Sequence, residues 1–202
     1  MSEFQAYLQL GFEHITDPNG YDHILFVVAL CAIYAFHDWK KVLVLITAFT
    51  LGHSVTLALA TLKLITYSSA VVELLIPITI FITAVSNFSE INHTNSKSPK
   101  LRYLLAASFG LIHGMGFSNY LRSLLGEQES ILMPLFSFNL GLELGQLVIV
   151  AIALAIASLF VEIIKVKRLT WNHLISGIVA GMALSLILNN ELFRSLMGPG
   201  VE

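Results

Sequence analysis

The sequence predicts an all-α integral membrane protein, a bundle of six transmembrane helices with no separate soluble domain. Apolar residues make up 56% of the 202 residues and charged residues only 12%, whereas soluble domains carry about 25% charged residues. The charges cluster between long apolar segments, as expected where lipid surrounds the chain. These segments lack the alternation of a membrane β-barrel, so helices are expected to span the bilayer.

Six apolar segments are each long enough to cross a hydrocarbon core of about 30 Å, which takes about 20 helical residues. In chain order they cover residues 20–37, 41–62, 69–89, 101–121, 132–164 and 171–192. The fifth segment is longer than one crossing requires, so it is expected to tilt or to project from the bilayer. Residues 1–202 are therefore predicted to form a single transmembrane domain.

The positive charges divide unequally between the two sides of this predicted bundle. The loops after the first, third and fifth helices hold eight of the eleven lysines and arginines, and the other side holds only Lys63, Arg122 and Arg194. Because cytoplasmic loops carry the excess of positive charge, both termini are predicted to lie outside. Trp39 and Trp171 fall at the predicted cytoplasmic ends, where indole rings favour the interface. We expect a multi-pass protein of a bacterial-type cytoplasmic (inner) membrane.

Ionisable side chains inside these segments are candidate functional groups, because a charge at mid-bilayer costs about 3 kcal/mol. At about 1.5 Å per residue, the depths of His53, His113 and Glu143 converge near the middle of the membrane. Asp22 and His23 lie a few residues into the first helix, nearer the outer surface. The predicted topology therefore arranges these side chains as a ladder from the outer face to the membrane centre.

The segment GFEHITDPNGYDH brings His14, Asp17, Asp22 and His23 within ten residues, around an Asp-Pro-Asn-Gly turn. Neutral imidazole together with carboxylate suits divalent nickel, cobalt or zinc, whereas copper(I) prefers the sulfur ligands that this cluster lacks. We therefore predict a divalent metal ion as substrate or bound ion. The predicted metal ligands are His14, Asp22, His23, His53, His113 and Glu143.

A second set of polar residues is predicted to support these ligands. The set comprises Asp17, Thr50, Thr56, Glu73, Asn139 and Gln146. Thr50 and Thr56 lie three residues on either side of the histidine in the second helix, where hydroxyls can orient an imidazole. Asn139 and Gln146 share one helical face with the glutamate of the fifth helix. Both amides are equally typical of hydrogen bonds that join membrane helices.

The segments that carry these residues resemble the HupE/UreJ family of membrane proteins. The matching segments are GFEHITDPNGYDHILF, TAFTLGHSVTLALA, GLIHGMGF and FNLGLELGQL, spread over about two-thirds of the chain. The resemblance implies a nickel or cobalt permease of the kind found alongside hydrogenase, urease or cobalamin genes, with metalloenzyme-maturation proteins as candidate partners. Its His-Asp motif falls on Asp22 and His23. Its other polar positions fall on His53, His113, Asn139, Glu143 and Gln146.

We therefore predict secondary transport of nickel or cobalt through an intramembrane His/Glu/Asp site. The sequence contains no nucleotide-binding motif, and no basic stripe typical of nucleic-acid binding. The alternative is an intramembrane zinc-type hydrolase, since three histidines beside a carboxylate also suit a catalytic zinc. A third hypothesis is haem binding by His53 and His113 as axial ligands. The predicted partners are the metal ion and the lipid bilayer, and a homo-oligomer is a further candidate.

Overall fold

The structure is a computed structural model that describes residues 2–89, 99–125 and 131–198. Within these ranges the chain is almost entirely helical and contains no strand, which confirms the predicted all-α class. One of the predicted cytoplasmic loops, at residues 90–98, lies outside the described ranges. The helices in chain order are α1 (Glu3–Thr16), α2 (Asp22–Cys31), α3 (Trp39–Thr61), α4 (Ser69–Ser86), α5 (Pro99–Leu125), α6 (Leu132–Ser158), α7 (Arg168–Asn189) and α8 (Glu191–Met197).

Four helical stretches among the described residues are long and apolar enough to cross a membrane, judged by length and composition. They are Phe36–Thr61, Ser69–Ser89, Leu132–Ile163 and Arg168–Asn189, which correspond to the second, third, fifth and sixth predicted helices. The predicted fourth helix is present as α5, with 27 residues, but polar residues and glycines lower its hydropathy. The count of six spans is not confirmed, because the predicted first helix also differs from the structure.

The helix predicted over residues 20–37 is shorter in the structure, where α2 covers only Asp22–Cys31, and a further helix, α1, precedes it. Helix α1 was not expected from the sequence. It begins with a capping box: the Ser2 hydroxyl accepts a hydrogen bond from the Gln5 N–H, and Gln5 Oε1 accepts one from the Ser2 N–H. The helix ends before Asp17, whose carboxylate accepts a hydrogen bond from the Asn19 N–H. Pro18 then prevents continuation of the helix. The ten-residue α2 begins at Asp22.

Helices α1 and α2 pack one after the other along the length of α6. A Cβ atom on Gly11 of α1 would overlap the Phe138 carbonyl, and one on Gly141 of α6 would overlap the Leu8 carbonyl, so the two backbones touch. Further along α6, Ile24 and Val28 of α2 line a groove with residues 148–157. With about 21 Å in α1 and about 15 Å in α2, the pair has the length of one bilayer crossing, interrupted at residues 17–21.

The pairing of α3 with α5 is equally close. A Cβ atom on Gly52 of α3 would overlap the Ala107 carbonyl, and one on Gly110 of α5 would overlap the Phe49 carbonyl. Gly114 of α5 would likewise meet the carbonyl of His53. Small residues allow membrane helices to approach in this way, and here they bring the two histidine-bearing segments of α3 and α5 together.

An ionic cluster ties three elements together at the end of α2. The buried carboxylate of Asp38, just before α3, accepts hydrogen bonds from Lys41 Nζ at 2.7 Å and from Arg168 at 3.0 Å. Arg168, at the start of α7, also donates to the Ile33 carbonyl at 3.2 Å. This cluster fixes the end of α2 relative to α3 and α7.

Candidate metal centre

Two groups of side chains that could hold a metal ion lie where α1, α2, α3 and α5 meet. The first group contains His14, His23 and His53, and the second contains Asp22, His23 and His113. Within each group the ligand atoms lie within 4.8 Å of one another. A tetrahedral ion about 2.1 Å from each ligand holds its ligands about 3.4 Å apart. A small inward movement of the side chains is therefore enough to close either group around an ion.

Three of the four imidazoles are buried and that of His14 is partly buried, and several of their nitrogen atoms have no hydrogen-bond partner. His23, His53 and His113 are 4%, 0% and 1% exposed. The buried nitrogens without a partner are Nε2 of His14, Nε2 of His23, both nitrogens of His53 and Nδ1 of His113. Because buried polar atoms are normally hydrogen-bonded, such atoms require an explanation. A metal ion, which binds imidazole through a nitrogen lone pair, provides one.

Neighbouring side chains hold two of these imidazoles in place. His23 Nδ1 lies 3.0 Å from Asp22 Oδ1, the contact by which a carboxylate orients a metal-binding imidazole. His113 Nε2 lies 3.1 Å from Thr79 Oγ1 on α4. Both contacts occupy one ring nitrogen and leave the other available, so the rings are oriented for a ligand on their second nitrogen.

The His14 ring is held by aromatic contacts instead. It packs on Phe117 of α5 with ring centroids 3.9 Å apart. Phe117 in turn stacks on Phe138 of α6, with centroids 5.0 Å apart and an interplanar angle of 11°. This packing positions a ligand from α1 against the ligands of the other helices.

Two cavities flank the interruption between α1 and α2. One, of about 500 Å³, is lined by His14 together with Glu13, Asp17 and Tyr120. The other, of about 270 Å³, is lined by Asp22 together with polar residues that include Asn19, Glu73 and Asn190. Each cavity thus contacts a ligand of a different group. Carboxylates on the cavity walls favour the approach of cations.

Comparison with known proteins assigns the chain to a family. A family model described as HupE / UreJ protein matches residues 1–190. The chain belongs to the HupE/UreJ family. No curated protein and no solved structure matches the chain.

This membership confirms the resemblance seen in four segments of the sequence and extends it to nearly the whole chain. A HupE/UreJ protein is associated with nickel or cobalt transport in general, and the apolar helices agree with a membrane protein. The family match gives no support to the zinc-type hydrolase alternative.

In this HupE/UreJ protein, the structure brings together five of the six predicted metal ligands: His14, Asp22, His23, His53 and His113. It does not bring the sixth, Glu143, into either group. Glu143 Oε1 instead accepts a hydrogen bond from Thr47 Oγ1 at 2.9 Å, across the interface of α3 and α6. Depth along the helix placed Glu143 level with the histidines, but the direction of its side chain differs.

The supporting residues predicted from the sequence have several roles. Gln146 Oε1 accepts a hydrogen bond from Thr50 Oγ1 and Asn139 Oδ1 accepts one from Ser54 Oγ, both at 2.7 Å, so these pairs join α6 to α3. Thr56 bonds within its own helix, to the carbonyls of Gly52 and His53. Asp17 caps the turn after α1, and Glu73 is exposed on the wall of the second cavity.

Thr79 and Phe117 were not expected at the site, and they contact His113 and His14 directly. Thr79 is 34 residues from its partner, and threonine is common in membrane helices. A pairing of this kind depends on how the helices pack, and no local pattern signals it.

Proposed function

We propose that this HupE/UreJ protein carries nickel or cobalt across the cytoplasmic (inner) membrane of a bacterium by secondary transport. The observation that carries the proposal is the cluster of four imidazoles and one carboxylate, of which His23, His53 and His113 are buried, with a buried and unpartnered nitrogen on every imidazole. Imidazole and carboxylate are the ligands that suit nickel, cobalt and zinc. Cys31, the only cysteine, is in neither group.

The position of the cluster supports transport. The cluster lies at the interruption between α1 and α2, and ligands come from both sides of that interruption: His14 from α1, Asp22 and His23 from α2. Transporters commonly place their substrate sites at discontinuous helices near the middle of the bilayer. The two cavities beside the cluster offer an ion a route to these ligands.

The proposal is tested by nickel uptake into proteoliposomes that contain a nickel-sensitive indicator. We expect His23→Ala and His53→Ala to reduce the initial rate at least about tenfold, since even the loss of a residue that only orients a ligand costs about 10- to 100-fold in metal affinity. The matched control is His37→Ala, because His37 is exposed and contacts Asp38 in the ionic cluster, away from both groups of ligands. Uptake at the wild-type rate in both site variants would overturn the proposal.

A further inference from the structure

His23 belongs to both groups of ligands, so the two groups share one side chain. We infer that the metal site, on which the proposed transport rests, consists of two overlapping binding positions, and that one ion passes between them by exchanging ligands around His23. The nitrogen position is formed by His14, His23 and His53. The carboxylate position is formed by Asp22, His23 and His113.

The ring geometry places His23 between the other ligands. Its ring centroid lies 4.8 Å from that of His14, 5.9 Å from that of His53 and 5.1 Å from that of His113. His14 and His53 are 6.4 Å apart. The two positions are thus neighbours rather than separate sites, and an ion at either one lies against the same imidazole.

The shared imidazole makes the two positions mutually exclusive. A neutral imidazole has one nitrogen with a free lone pair, because the other nitrogen carries a proton. His23 can therefore complete only one position at a time, and the site holds one ion. An ion that moves from the nitrogen position keeps His23 in its neighbourhood, releases His14 and His53, and gains Asp22 and His113.

The two positions differ in chemistry. The nitrogen position offers three neutral ligands, whereas the carboxylate position replaces one nitrogen with a charged oxygen. Softer ligands favour later transition metals, and carboxylate oxygen favours harder ions. Because the ion exchanges protein ligands for protein ligands, it does not have to recover its full water shell between the two positions.

Each position also has its own cavity. His14, which belongs only to the nitrogen position, lines the larger cavity. Asp22, which belongs only to the carboxylate position, lines the smaller one. Residues 17–21 run between α1 and α2, and Asp17 lines the larger cavity while Asn19, Gly20 and Tyr21 line the smaller. Each binding position is therefore adjacent to a different cavity.

Cobalt titration of the purified protein tests the relay, because the visible absorption of cobalt(II) reports its ligands. His14→Ala removes only the nitrogen position, His113→Ala removes only the carboxylate position, and His23→Ala removes both. We expect one equivalent of cobalt in the wild type. The wild-type association constant is the sum of those of two mutually exclusive positions, so at least one of His14→Ala and His113→Ala is expected to bind cobalt within about twofold of the wild type. The spectra of the two variants are expected to differ from each other. His23→Ala is expected to bind more weakly than either.

Nickel uptake by the same variants distinguishes an ion that passes between two positions from an ion that binds at a single site. In a relay, His14→Ala and His113→Ala retain metal binding but lose most of their transport, because the ion has only one position left. His37→Ala controls for the loss of a histidine elsewhere. Thermal unfolding in detergent verifies folding, and His23→Asn provides a second variant at the shared position should His23→Ala unfold.

Two results would overturn the relay. One is a loss of cobalt affinity of about tenfold or more in both His14→Ala and His113→Ala, which indicates a single site built from all the ligands. The other is two equivalents of cobalt bound to the wild type. If the wild type takes up nickel normally, either result overturns the relay and leaves the proposed transport intact. Nickel uptake at the wild-type rate by both His23 variants would overturn the proposed transport itself.

Discussion

The hydroxyl of Thr79 determines which nitrogen of His113, a candidate metal ligand, carries the proton. The Thr79 hydroxyl donates its single hydrogen to the Ile76 carbonyl at 2.7 Å. Its oxygen can then only accept from His113 Nε2, 3.1 Å away. A proton on Nε2 leaves the lone pair on Nδ1, which is the buried nitrogen without a partner. Thr79 therefore selects the tautomer of His113 that can bind a metal.

Replacing Thr79 is expected to weaken metal binding without unfolding the protein. Thr79→Val keeps the shape of the side chain but removes the acceptor, and loss of such a partner costs about 10- to 100-fold in metal affinity. Thr79→Ser retains the hydroxyl and is expected to bind metal as the wild type does. Cobalt titration measures both affinities. Wild-type affinity in Thr79→Val would show that the hydroxyl does not orient His113.

For single residues, the sequence predicts which side chains are candidate ligands better than it predicts the direction in which those side chains point. His23, His53 and His113 stand out because each is an ionisable side chain in an apolar segment, and the structure brings each into a group of potential ligands. Glu143 meets the same criterion, yet it contacts Thr47 across another interface. Depth can be read from residue spacing, but the azimuth of a side chain depends on which helices pack together.

Among the elements, α1 depends most clearly on tertiary packing. Polar residues such as Gln9 and Glu13 keep α1 from resembling a membrane span, so hydropathy does not reveal it. The available signal is the capping box of Ser2 and Gln5. The close packing of α1 on α6 cannot be predicted from local sequence, because it requires Gly11 to meet Phe138 more than 100 residues later in the chain.

Close packing of α1 on α6 predicts the effect of a methyl group at their interface. In Gly141→Ala the new Cβ overlaps the Leu8 carbonyl, so α1 must move away from α6 and carry His14 with it. We expect a lower unfolding temperature in detergent and weaker cobalt binding.

Gly181→Ala is the matched control, because nothing lies within 4 Å of a Cβ at that position. Alanine has a higher helix propensity than glycine, by up to about 1 kcal/mol, so this variant is expected to be as stable as the wild type or more so. Equal unfolding temperatures for the two variants would contradict the close contact of α1 with α6.

For the whole molecule, four fully apolar spans are two fewer than the six crossings predicted from the sequence. The interrupted pair α1 and α2, together with α5, can supply the other two. If the pair crosses the membrane once, and α5 crosses as well, the chain makes six crossings and both termini lie outside. The sequence predicts this count from hydropathy, but it cannot show that the first crossing is divided at residues 17–21. Pro18, Asn19 and Gly20 of this break are exposed and line the two cavities, where water can satisfy the backbone groups that the break leaves unpaired.

This topology predicts which positions a membrane-impermeant maleimide can reach in intact cells. In a Cys31→Ser background, Glu3→Cys and Glu191→Cys are expected to react from outside. Lys165→Cys, in the connection between α6 and α7, is expected to react only after the membrane is opened. Reaction of Glu3→Cys and Lys165→Cys from the same side would show that the predicted topology is wrong.

The imidazoles at the interruption are proposed to bind the transported metal. X-ray absorption at the nickel edge, on the purified protein with one equivalent of nickel, identifies the atoms that surround the bound ion. We predict a first shell of nitrogen and oxygen with the outer-shell scattering of two or three imidazole rings, and loss of that scattering in His23→Ala. A nickel ion surrounded by oxygen alone, or one whose spectrum is unchanged in His23→Ala, would show that these imidazoles do not bind the transported metal.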